Sequence, residues 1–155
     1  MAKNDMKLTR KLFWIFGAAI TPVVLFFVAD VVIHQMRIQV SLPFGTPRLW
    51  GIAVLILSVL CGVALPILLR AGFQTRASRK RSVGIEEYTS LQVLLTVLSM
   101  VAALLACVAY LFLFPKLYLY GSVLAGLYGI YSSIPSRRKI ASELRYYGLG
   151  EKGSQ

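Results

Sequence analysis

Reactive side chains are scarce in this chain. Its 155 residues include six Asp and Glu, one histidine and two cysteines. Cys61 and Cys107 both lie in apolar runs, with no CxxC pair and no Cys/His ligand spacing, which excludes a zinc site and a thiol-redox enzyme. A single histidine excludes a haem held by two histidines of one chain. There is no GxSxG elbow, no phosphate-binding glycine loop and no HExxH pair. Glu86 and Glu87 are adjacent, so they point to different sides of a helix and make a poor acid/base couple. The chain therefore reads as a non-enzyme with no cofactor and no metal. Charged residues are also few, at 15%, where a soluble domain carries about 25%. That excludes an ordinary soluble fold. The 57% hydrophobic content excludes disorder, which needs low hydrophobicity.

What the chain has is long apolar runs. A hydrocarbon core about 30 Å thick needs about 20 apolar residues of helix. Four stretches meet the need: 12–32, 49–69, 91–114 and 117–134. Backbone polar groups in lipid need internal partners, so these runs are expected to be helices. The expected fold is an all-α integral membrane protein, a compact bundle of four transmembrane helices forming one membrane domain over 1–155. The first run is too long for the apolar part of a cleaved signal peptide and reads as a retained span.

The net charge is +11, from 17 Lys and Arg against the six acids. Fourteen of the seventeen cations fall in segments 1–11, 70–89 and 135–155. Arg37, Arg48 and Lys116 alone lie in the other two connections. Cytoplasmic loops collect Lys and Arg, so both termini are expected to be cytoplasmic, with 33–48 outside. This accounts for the basic charge without nucleic acid. Arg76, Arg79, Lys80, Arg81, Arg137, Arg138 and Lys139 are the candidate contacts for anionic lipid headgroups or for a partner. The host membrane is expected to be a bacterial inner membrane. Trp14, Trp50 and the aromatic cluster from Tyr110 to Tyr120 read as interfacial anchors.

Helices in lipid associate through close packing of small residues. Gly121, Ser122, Ala125, Gly126 and Gly129 form such a stripe in the fourth run. Ala102 and Ala106 lie in the third, Ser58 and Gly62 in the second, and Gly17, Ala18 and Ala19 in the first. Pro115-Lys116 is so short a link that the last two helices must form an antiparallel hairpin. Pro22 and Pro66 each remove a backbone donor and are expected to bend or shape their helices.

Outside the runs, Met36, Ile38, Val40 and Leu42 alternate with polar residues. This predicts either a short strand or an extended segment at the interface. The stretch 76–81 reads as a loop, with the third helix starting near Gly84. Ser136–Tyr147 reads as a short basic interfacial helix with Ile140, Leu144 and Tyr147 on one face.

Asp30 is the one acid at membrane depth. His34 lies four residues on, so the two share a helix face. They are the candidate ion or proton site, the alternative being that both sit at the wet interface and pair with water or each other. With so few polar groups, the leading expectation is a non-catalytic accessory or assembly subunit of a larger membrane complex, with other membrane subunits as partners. The alternative is a small homo-oligomeric transporter or channel with Asp30 and His34 at its outer mouth. A third reading, lipid handling by the basic segments, rests on the same cations.

Overall fold

The structure, a computed structural model, describes residues 3–36, 46–79 and 85–136, together with 140 and 142. All regular structure among the described residues is helical. Helix α1 spans Lys3–Gln35, α2 Pro47–Val59, α3 Leu65–Arg79, α4 Ile85–Leu111 and α5 Lys116–Ser133. A π turn over Leu60–Ala64 joins α2 to α3 as one continuous rod. The result is four helical rods. Three of them, Thr9–Gln35, Arg48–Arg76 and Ile85–Leu111, are long and apolar enough to cross a membrane. The fourth, α5, is shorter and diluted by Tyr, Gly and Ser, and its glycines lie against α2 and α4.

Local chemistry accounts for the boundaries. Pro47 opens α2 at a position where its missing N–H costs nothing. Glu86 and Glu87 occupy the first turn of α4, where the helix dipole favours anions. The α4–α5 turn is a Schellman motif. Phe114 N–H donates to the Ala109 carbonyl at 3.2 Å and Leu113 N–H to the Tyr110 carbonyl at 3.1 Å. Leu113 sits at φ 47°, in the left-handed region. The apolar contact that accompanies such a cap is present, since Phe114 and Ala109 share a buried cluster with Val54.

Both internal prolines are absorbed. Helix α1 continues through Pro22, while Thr21 Oγ1 donates to the Gly17 carbonyl at 2.9 Å. Pro66 lies just after the π turn. Its ring would clash with the carbonyl four residues back. Widening the helix over Leu60–Ala64 relieves this, and Leu65 N–H reaches the Leu60 carbonyl instead. Helix α3 runs on to Arg79, so Arg76 to Arg79 are helical rather than loop as the sequence suggested. Alanine, arginine and glutamine there are good helix formers, so the helix outlasts its apolar run.

Contacts set the directions. Leu12 of α1 meets Tyr88 of α4 in one cluster, and Phe27 and His34 of α1 meet Tyr110 of α4. Helices α1 and α4 are therefore parallel. Gly126 lies on Ala103, and Gly129 on Ser99, so α4 and α5 are antiparallel. Gly51 faces Tyr118, Leu55 faces Gly121 and Gly62 faces Ala125, so α2 and α5 run the same way. Leu12, Phe73, Tyr88 and Ile140 pack together. The start of α1, the end of α3, the start of α4 and the tail after α5 thus meet at one end of the bundle. We call this the basic end.

Candidate functional site

Three loci carry the chemistry. The first is the junction of α2, α4 and α5. Gly129 lies against the Cα atoms of Ser99 and Gly62, and Gly126 against the Cα of Ala103. A Cβ at Gly62 would meet the Ala125 carbonyl oxygen at 2.5 Å and the Ala102 methyl at 3.1 Å. Ser58 and Ser122 are fully buried at the same level, and neither Oγ has a hydrogen-bond partner. Ala106 is buried against Gly126, and Gly121 lies against the tip of Leu55. The structure thus brings the small residues of the second, third and fourth runs together. Of the small residues in the first run, Ala19 packs against the cluster of Met100, Ala103 and Cys107, while Gly17 has open space beside it.

The second locus is the end opposite the basic one. Asp30 of α1 is 1% exposed, and its Oδ2 has no hydrogen-bond partner. The half-buried His34 does not reach the carboxylate. Its Nδ1 hydrogen-bonds the Asp30 main-chain carbonyl at 2.9 Å. A carbonyl can only accept, so Nδ1 carries a proton in this bond. The His34 ring lies on Tyr110 of α4, centroids 4.7 Å apart. The two side chains therefore do not form an ion pair with each other. Helix α4 encloses Asp30, and the helix period alone could not show that.

Beside this locus an apolar groove of about 470 Å³ separates α1 from α5. Ala103, Ala106 and Gly126 contribute small side chains, and Val24, Phe27 and Leu127 stand at its sides. Of the apolar window in α1, only 11% is buried, against 50% in α4. Helix α1 is joined to the rest chiefly through α4.

The third locus is the basic end. Arg10, Lys11 and Arg76 are exposed. The Arg70 guanidinium donates to the Ser132 carbonyl at 2.8 Å, capping the end of α5, where orphan carbonyls favour a cation. The Arg79 backbone ends α3. Lys80, Arg81, Arg137, Arg138 and Lys139 lie outside the described residues, as does most of the alternating segment after Met36. Of the expected tail helix, Ile140 and Ser142 are helical and Ile140 N–H donates to the Ser136 carbonyl at 2.9 Å.

One feature was missed in the sequence. Tyr88, Gln92, Thr96 and Ser99 form a buried polar ladder along α4. Gln92 Nε2 donates to Tyr88 Oη at 3.1 Å, Thr96 Oγ1 to the Gln92 carbonyl at 2.9 Å, and Ser99 Oγ to the Leu95 carbonyl at 2.8 Å. The i, i+4, i+8, i+11 spacing was the available signal.

Compared with protein-family models, curated proteins and solved structures, the chain matches none.

Proposed function

We propose that this chain is an integral membrane protein that acts as a non-catalytic accessory or assembly subunit of a larger membrane complex. Both termini are placed in the cytoplasm, and the membrane is a bacterial inner membrane. The observation that carries the subunit reading is the attachment of α1. It is a membrane-length apolar helix packed chiefly on α4, and a groove runs between it and α5. The small side chains of Ala103, Ala106 and Gly126 let a helix backbone approach closely, which is how helices gain contact energy in lipid. We assign this groove to a transmembrane helix of the partner. The orientation rests on the cation bias and on the convergence of α1, α3, α4 and the tail at the basic end.

The test is purification from the native membrane in mild detergent, followed by native mass measurement. Other membrane proteins in fixed ratio are expected. A lone monomer overturns the proposal. A pure homo-oligomer shifts the weight to the transporter reading, which draws on Asp30 and would then be tested by solute flux in liposomes.

A further inference from the structure

Asp30 is unusual in its surroundings. It is the only acid among the described buried residues. Its Oδ2 is buried and unpartnered, and among the described residues no Lys or Arg forms an ion pair with it. Its titratable neighbours are His34, one turn along α1, and Cys107 and Tyr110 on α4. A negative charge on a buried carboxylate oxygen that accepts no hydrogen bond is costly. A hard metal cation needs six or more oxygen ligands, and no cluster of metal-ligating side chains occurs among the described residues. The occupant that fits one carboxylate and no further ligands is a proton.

We infer that Asp30 is a buried proton-binding site, with His34 as the group through which the proton enters and leaves. The imidazole is suited to this. Nδ1 is committed to the Asp30 carbonyl, so in the neutral ring Nε2 is the nitrogen that accepts. His34 does not touch the carboxylate, so release runs through a bridging water: the Oδ2–H bond breaks as the water takes that proton and gives one of its own to Nε2, leaving a carboxylate and an imidazolium. The imidazolium, half-buried at the end of the bundle, then returns its extra proton to water. Uptake is the reverse. No oxidant or cofactor is involved. Asp30 lies on the helix that packs on α4, so proton release places a charge in the seam that holds α1. This site does not depend on the subunit reading.

Infrared spectroscopy of the full chain in lipid nanodiscs tests it. The C=O stretch of a protonated carboxyl group is expected at neutral pH, shifting in D₂O and disappearing in Asp30→Asn. Absence of the band in the wild type, or its persistence in Asp30→Asn, overturns the proposal. Should Asp30→Asn fail to fold, the wild type answers alone. The hydrophobic reagent dicyclohexylcarbodiimide attacks protonated carboxyls in apolar surroundings. Peptide mass mapping is expected to place its adduct on Asp30 at least tenfold above any other acid. Labelling without that preference overturns the site. In His34→Gln the band is expected to remain while hydrogen–deuterium exchange at the carboxyl slows about tenfold or more. Unchanged exchange removes His34 from the route.

Discussion

A methyl group at Gly62 would sit 2.5 Å from a main-chain oxygen of α5. Backbone cannot rotate aside as a side chain can. Gly62→Ala is therefore expected to destabilise the bundle by about 1–3 kcal/mol, read as a lower midpoint in denaturing-detergent titration. At Gly121 the obstacle is the flexible tip of Leu55, so Gly121→Ala should cost less. At Gly17 there is open space, and alanine there should be neutral or stabilise by up to about 1 kcal/mol through helix propensity. The same titration ranks all three. The orphan hydroxyls of Ser58 and Ser122 give the opposite expectation. Removing a buried unpartnered polar atom removes its desolvation cost, so Ser122→Ala should leave stability unchanged or raise it by about 1 kcal/mol. A clear loss would show that the hydroxyl has a partner, such as a buried water. Leu113 holds a left-handed conformation that favours glycine. Leu113→Gly should raise thermal stability by about 1 kcal/mol.

At the scale of elements, α5 is the helix most dependent on its neighbours. Its last carbonyls rely on Arg70 from α3, so Arg70→Ala should fray its C-terminal end. The expected cost is about 1 kcal/mol, visible as faster hydrogen exchange confined to the end of α5. Helix α1 stands at the other extreme, with most of its apolar window uncovered. Leu127 is exposed at the side of the α1–α5 groove, so Leu127→Trp would obstruct the groove without entering the core. The bundle should keep its helicity and melting point, while retention of partner proteins in mild detergent falls about tenfold. Equal retention would place the partner elsewhere. The positions of the four helical rods were legible in the sequence because apolar runs and turn residues are local signals, but the polar extensions of α1 back to Lys3 and of α3 on to Arg79 were not. The π turn was not, because the Pro66 effect can be absorbed either by a kink or by a change of hydrogen-bond register. The neighbouring helices select between them.

For the whole molecule, the alternating directions of the rods bring the chain ends that flank the basic segments to one end. A reporter fused after residue 155 is expected to stay cytoplasmic, and one inserted in the 37–45 connection is expected to lie outside. Reversal of both would overturn the orientation. The candidate site was legible in part. Asp30 and His34 stood out as the acid and the lone histidine of an apolar run. Their roles did not, because burial of the carboxylate comes from α4 and the imidazole is turned onto the main chain. The ladder from Tyr88 to Ser99 was hidden because each polar residue is ordinary alone, and only their common burial joins them.

The amino-acid sequence by itself determined that the chain is helical, where its four apolar runs lie and where the cations concentrate. These follow from transfer energies and helix periodicity, which act over one or a few turns. Tertiary structure decided which small residues touch, which polar atoms lose water, and how loosely α1 is held. Those depend on atoms supplied by helices distant in the chain. Gly17 and Gly62 are the same residue in similar runs, yet one faces open space and the other faces a carbonyl oxygen.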